Sequence, residues 1–411
     1  MSQLASIHPA KPGRPTRRGI FRLAAGVALA GVPGCALPER GTPVPSGHTA
    51  QATVLGIANE RFFPALGIDP LEAEFMAAME RQRRARGLKT VADLPQLQLL
   101  AISGGGENGA FGAGLLCGWS TQGTRPVFDL VTGISTGALT APFAFLGPDY
   151  DPQLRAVYTE TAPREILLRR SITAALFNDA LADNEPLFRT ISRFVDDRML
   201  AGIAAAYDSG RLLLIASTNI DAQVPVIWNI GAIAKSGHPK AADTIRRVLL
   251  ASAAIPGAFP PSMIDVTMDG KTYQEMHVDG GAIAQTFLYP SALTRNRAQR
   301  RRTGQPVVDA RAFIIRNGRL DPEWAAVERR TLGIAGRAIA TMIAVAGYND
   351  VVRIYGITQR DGIDYNLAFI GTDFRQVLAS PFEPGYMRAL YDYGYQRGLH
   401  GYGWAKRPPI F

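Results

Sequence analysis

Cysteine is almost absent from this sequence: 411 residues hold two, Cys35 and Cys117. Two such residues cannot build a disulfide framework. Long apolar runs are missing too. The best of them, Leu23–Val32, falls well short of the roughly 20 residues a bilayer-crossing helix needs. No basic patch is interleaved with aromatics, so nucleic acid is not an expected partner. No metal or cofactor is expected. Charged residues make up 19% and hydrophobic ones 47%. That is ordinary globular composition, enough for one large α/β domain or two smaller ones.

The net charge of +9 is uneven. Residues 1–34 hold Lys11, Arg14, Arg17, Arg18 and Arg22 and no acid, so the balance without those five is +4. The cluster Arg295, Arg297, Arg300, Arg301, Arg302 reads as a solvated loop. The basic N-terminus, the short apolar run and the small residues after it describe a secretory signal. Val32-Pro33-Gly34-Cys35 resembles a bacterial lipobox, and Thr16-Arg17-Arg18-Gly19-Ile20-Phe21-Arg22 a twin-arginine export motif. The expectation is an export signal over 1–34, lipidation at Cys35 and a mature protein anchored in the bacterial cell envelope, at the periplasm or outer membrane. Residues 36–60, rich in Pro, Gly, Ser and Thr, read as a tether. Leu71, Phe75 and Met79 then mark an amphipathic helix from about Pro70 to Arg86.

Leu97–Ser103 reads as a strand. It runs into Gly104-Gly105-Gly106-Glu107-Asn108-Gly109, and a helix follows through Trp119. Such a loop cradles an anion, because its N–H groups converge and no Cβ blocks approach. Asp129 follows Gly109 by 20 residues, as a ribose-binding acid would. It opens the next strand rather than ending it, which rules out a dinucleotide site. No Gly-Lys-Ser/Thr closes the loop, which excludes a P-loop. The next strand, Leu130-Val131, leads into Gly133-Ile134-Ser135-Thr136-Gly137, and a helical pattern starts at Ala138. Strand, tight turn and helix are the setting of a nucleophile elbow with Ser135 at its tip. If the two strands are parallel neighbours, their C-terminal ends place the glycine loop beside Ser135. The loop amides then become an oxyanion hole.

A base is needed. Asp279 stands in His277-Val278-Asp279-Gly280-Gly281, and a carboxylate in reach can take a serine proton. Between Ser135 and Asp279 lie Thr218-Asn219-Ile220-Asp221 with Pro225-Val226 and then Ala251-Ser252-Ala253-Ala254-Ile255-Pro256-Gly257-Ala258-Phe259-Pro260-Pro261. In this order the motifs resemble the patatin-like phospholipase family, from about Leu97 to Thr286. The resemblance implies a three-layer α/β/α fold with a mainly parallel central sheet. It implies a Ser–Asp dyad of Ser135 and Asp279 and oxyanion donors at Gly104, Gly105 and Gly106. The family has Arg or Lys two residues after the third glycine, where this chain has Asn108.

Arg211–Ala216, Ala312–Arg316 and Tyr365–Ile370 read as further strands, with helical patterns at Ala241–Ser252 and Leu332–Gly347. Ala335–Ala346 is read as core packing, with an acyl groove as the alternative. Cys117 reads as a core residue. The expected layout is signal at 1–34, tether and helix at 35–95, catalytic domain at 96–320, and a C-terminal extension packed on it at 321–411. The expected function is a serine lipid acyl hydrolase acting on carboxylic esters, with a lipid or acyl ester as substrate and a membrane surface as partner. Alternatives are an acyltransferase or thioesterase on the same dyad, a non-catalytic lipid-binding lipoprotein, and a Ser-Asp-His triad completed by His400.

Overall fold

Short apolar segments become strands here, and nine of them join in one sheet. The computed structural model describes residues 40–166, 168–169, 180 and 182–409. Its sheet contains β1 (Arg61–Phe62), β2 (Leu97–Ile102), β3 (Leu130–Ile134), β4 (Leu212–Asn219), β5 (Val224–Asn229), β6 (Ser262–Met268), β7 (Lys271–Asp279), β8 (Ala310–Arg316) and β9 (Asp364–Phe369). The order is β1-β5-β4-β3-β2-β8-β9, with β6 paired to β7 and β7 to β4. The five strands from β4 to β9 in that order are parallel. The remaining four pair antiparallel.

A parallel centre needs cover on both faces. The cover comes from α1 (Asp69–Ala85), α2 (Gly109–Gln122), α3 (Thr136–Leu146), α4 (Asp151–Thr159), α5 (Glu185–Phe194), α6 (Asp197–Asp208), α7 (Ile230–Lys235), α8 (Ala241–Ser252), α9 (Arg295–Arg302), α10 (Thr331–Asp361) and α11 (Pro384–Leu399). Strand side chains alternate between two cores. Leu100, Ile102, Val131, Ile215 and Ile315 pack with α2, α3, α8 and α11. Leu99, Ala101, Leu130, Leu214 and Ile314 pack with α1 and α10. This is a three-layer α/β/α fold.

Some expectations from sequence fall outside what the structure describes, and others need correction. The export signal over 1–34 and Cys35 lie outside the described residues. From residue 40 onward the expected tether is instead packed on the domain. Gln274 N–H donates to Thr42 O at 2.8 Å, and Thr53 bridges Thr267 on β6. The Glu60 carboxylate accepts from the N–H groups of Val54 and Leu55, which anchors a segment with little regular structure of its own. On α1 the buried stripe is Leu71, Glu74, Ala78 and Gln82, one position off the apolar pattern. Glu74 is buried because Arg81 pairs with it at 2.8 Å and Tyr207 donates to it.

The C-terminal residues form part of the domain rather than an extension. β9 joins the sheet beside β8, and Arg40–Phe411 is one compact unit. The arginine cluster is a helix, α9, rather than a loop. Arg297 and Arg301 donate to Asp361 O, the last residue of α10, where a cation meets the negative helix end. The stretch 335–346 is neither core nor groove: Ile339, Met342 and Val345 on α10 are exposed. Among the described residues no helix is long and apolar enough to cross a membrane.

Candidate active site

Ser135 occupies the turn between β3 and α3 with φ 56° and ψ −128°. A non-glycine residue with positive φ is strained by Cβ contacts with the backbone, and such strain concentrates at functional turns. Both flanking glycines are needed for it. A Cβ on Gly133 would lie 2.5 Å from Gly137 O, and one on Gly137 would overlap Ile102 O. The Ser135 N–H donates to Ser252 Oγ at 3.0 Å, and Ser252 Oγ donates to Ala216 O at 2.6 Å. Ser252 is therefore a clamp that ties the elbow to β4.

Strand register explains why Asp279 reaches Ser135. β3 pairs with β4 up to Ile134 opposite Ala216. One step on, Ser217 pairs with Asp279 on β7. The other edge of β4 is held by β5, so β7 takes over the edge that β3 vacates. Ser135 leaves β3 where Asp279 arrives. A Cβ on Gly280 would crowd Ala216 O at 2.6 Å, so the Asp-Gly-Gly turn permits that approach.

Asp279 Oδ1 accepts from Gly281 N–H at 2.7 Å, while Oδ2 is buried with no hydrogen-bond partner. The Ser135 hydroxyl lies near enough to stabilise the carboxylate, short of a well-aligned bond, as resting catalytic pairs often do. Burial still dominates and pushes the Asp279 carboxyl up to about 7. That value suits a proton acceptor at neutral pH.

The glycine loop ends β2, alongside the elbow as parallel pairing of β2 and β3 requires. Its three members differ. Gly104 N–H is already donated to Gln285 O at 2.9 Å, so Gly104 is not an oxyanion donor. Its place is steric: a Cβ there would lie 3.2 Å from Ser135 Cβ. The N–H groups of Gly105 and Gly106 have no carbonyl partner among the described residues, nor does that of Thr136, the first residue of α3. All three N–H groups belong to the loop after β2 or to the turn that carries Ser135.

An apolar cavity of about 80 Å³ opens at this point, lined by Ser135, Gly106, Leu139, Phe143, Phe194 and Phe382 among others. Glu107 also lines it, and burial raises its carboxyl. Asn108 turns away from the cavity, and its Oδ1 accepts from Tyr386 OH on α11 at 2.7 Å.

Among the described residues no histidine hydrogen-bonds to Ser135 or Asp279. His400 caps the end of α11, Nδ1 against Gln396 O at 2.8 Å, and is exposed. That placement gives the alternative triad no third member. His277 is fully buried between Ser217 and Glu275, and Glu275 pairs with Arg61 at 2.6 Å. This chain of polar groups fixes β7 just before Asp279. Neither it nor Ser252 was assigned a role from sequence. Ser252 stands in the Ala251–Pro261 motif, which is its signal in the sequence. Arg61 and Glu275 are 214 residues apart and offered none.

The family model for patatin-like phospholipase matches residues 100–290 and so includes the glycine loop, Ser135 and Asp279. Residues 100–290 are a patatin-like phospholipase domain. A cUMP-AMP-activated phospholipase of Escherichia coli is 37% identical over 111 residues, which is 26% of this chain and 33% of that protein. The chain thus matches about a third of that relative's length. VipD from Legionella pneumophila, a solved structure, is 13% identical with a TM-score of 0.36, over 75% of this chain and 66% of that one. β8, β9, α10 and α11 all lie beyond the part matched by the family model.

Proposed function

We propose that this chain is a serine lipid acyl hydrolase that cleaves carboxylic esters with a Ser135–Asp279 dyad. The observation that carries the reading is the unpaired, buried Asp279 Oδ2 beside the strained Ser135 at the mouth of an apolar cavity. Asp279 takes the hydroxyl proton as Ser135 Oγ bonds to the ester carbonyl carbon. The oxyanion is held by the N–H groups of Gly105, Gly106 and Thr136. Each such donor is worth roughly 3 kcal/mol in the transition state. The C–O bond breaks, and Asp279 returns the proton to the leaving alcohol. Water then attacks the acyl-enzyme with Asp279 again as base, releasing the acid and restoring Ser135. The acyl chain lies along Leu139, Phe143 and Phe194, where it is shielded from water.

Turnover of nitrophenyl butyrate and octanoate tests the reading, and an inert, folded chain would count against it. Because Asp279 acts as a carboxylate with a pKa near 7, kcat/KM rises with pH through about 7 and levels above it. A rate independent of pH between 5 and 8 would assign the base to another group. His400→Ala keeps full activity, since His400 makes its contact within α11. A loss beyond tenfold would restore the triad.

Residues 1–34 direct export, and Cys35 carries an acyl anchor that holds the mature chain at the bacterial envelope. The basic start, short apolar run and lipobox-like Val32-Pro33-Gly34-Cys35 support this. Metabolic labelling with an alkyne fatty acid is expected to mark the wild type and not Cys35→Ser. Equal labelling of both would remove the anchor.

A further inference from the structure

We infer that Arg316, outside the matched domain and at the end of β8, is a positioning residue for the oxyanion hole. It works through the peptide that joins Gly104 to Gly105. The inference deepens the proposed hydrolase reading and rests on it.

Arg316 is 4% exposed. Its Nη1 donates to Gly104 O at 3.2 Å and contacts Ser103 Oγ at 3.3 Å. Its Nε is buried with no partner. Among the described residues it has no ion-pair partner. Asp350, whose charge is felt there, is paired with Arg353 at 3.0 Å. Burial pulls the guanidinium down to about 10, which leaves it charged at neutral pH.

A buried cation without a paired carboxylate is costly to keep. The slot around it is nevertheless built to hold it. A Cβ on Gly347 of α10 would lie 2.6 Å from its Cζ, and one on Gly318 would lie 3.2 Å away. Glycine at both positions leaves the guanidinium plane its space.

The function follows from the geometry of one peptide group. The carbonyl that Arg316 grips belongs to the same peptide as Gly105 N–H. In a trans peptide the C=O and N–H point in opposite directions, so fixing the oxygen against Arg316 fixes the N–H on the far side. Ser103 Oγ donates to the same oxygen at 2.7 Å. Asn317 steadies the loop from the next residue along, with N–H to Ser103 Oγ at 2.8 Å and Nδ2 to Ser103 O at 2.9 Å. A carbonyl that accepts two bonds, one charged, polarises its amide and makes the N–H a stronger donor. Arg316 thus holds the Gly104–Gly105 peptide against flipping and raises its strength as an anion donor without touching substrate.

The test compares Arg316→Lys with Arg316→Gln in the full chain carrying Cys35→Ser, on nitrophenyl butyrate. The lysine variant keeps a cation and is expected within tenfold of the parent. The neutral glutamine variant loses about a hundredfold in kcat with KM unchanged. Binding of a butyl boronic acid, which forms a tetrahedral anion on serine, falls by a similar factor. Arg316→Ala provides a second arm. Methylguanidinium at millimolar concentration restores its turnover, whereas urea, alike in shape and neutral, does not. Equal kcat for the lysine and glutamine variants, or equal rescue by urea, would overturn the inference and leave Arg316 a packing residue. An inert parent would instead overturn the hydrolase reading itself.

Discussion

Ser135→Ala is expected to lower kcat/KM for nitrophenyl esters by at least a thousandfold while leaving the fold intact. In the proposed mechanism Oγ is the atom that bonds to the acyl carbon, and neither Asp279 nor the loop amides can replace it. Groups that act as a unit fail together, so Asp279→Asn should cost nearly as much, and the double variant little more than either. The second variant carries a further signature. The raised Asp279 pKa means that the folded chain binds this proton more tightly than the unfolded one. Its contribution is fully present below the unfolded value near 4, declines as pH rises, and is lost through about 7. A neutral asparagine escapes that loss. At pH 8, Asp279→Asn is therefore expected to be more stable than the wild type, by roughly 2–4 kcal/mol, and far less active. At pH 4 the two should denature alike. Urea melts at both pH values measure this, and an asparagine variant less stable at pH 8 would mean that the carboxylate is held by interactions absent from this geometry.

The second large effect lies away from the nucleophile, where α2 crosses α11. Gly114 and Gly118 on α2 face Gly394 and Gly398 on α11. A methyl at Gly114 would overlap Tyr391 O and one at Gly118 would overlap Tyr395 O. From the other helix, methyls at Gly394 and Gly398 would overlap Phe111 O and Leu115 O. The two backbones touch, so no rotamer change relieves a side chain placed between them. Glycine inside a helix costs up to about 1 kcal/mol each relative to alanine, and close approach is what offsets that cost here. Gly118→Val is expected to destabilise by 3 kcal/mol or more. Gly336→Val, on the exposed part of α10 with open space around it, should change stability by less than about 0.5 kcal/mol. The crossing also bears on catalysis. α2 begins at the glycine loop, and Tyr386 on α11 holds Asn108 in that loop. A surviving Gly118→Val protein should lose kcat as well as stability. Equal denaturation midpoints for the two variants would show that the helices part without strain.

Local chemistry was the readable part of this site. Gly133, Ser135 and Gly137 specify a turn whose strain any strand-to-helix crossing of that kind requires. The Asp-Gly-Gly turn is similarly self-contained. Parallel pairing of β2 and β3 followed from the order of strand, helix and strand. What could not be read depends on partners far along the chain. Gly104 looks like its neighbours until Gln285 takes its N–H. Arg316 is one arginine among many until β8 settles beside β2. The Ala- and Ile-rich start of α10 has the composition of a core helix, yet its apolar side chains lie in the open because α1 and the second half of α10 already fill that face of the sheet. The Pro- and Gly-rich start has the composition of a tether. It is fastened by Glu60 and by the Arg61–Glu275 pair, whose members are 214 residues apart in sequence.

Cys117 provides a way to time the molecule's opening. Its thiol sits on α2 beneath α4, 3.7 Å from Asp151 O, and burial pushes it up to about 12. A thiol so protonated and enclosed does not react with an alkylating reagent while the helices are together. In a chain carrying Cys35→Ser, each labelled molecule therefore records one opening of the packing of α2 against α4 and Tyr391 of α11. The labelling rate becomes a clock for the opening of the helix that follows the glycine loop.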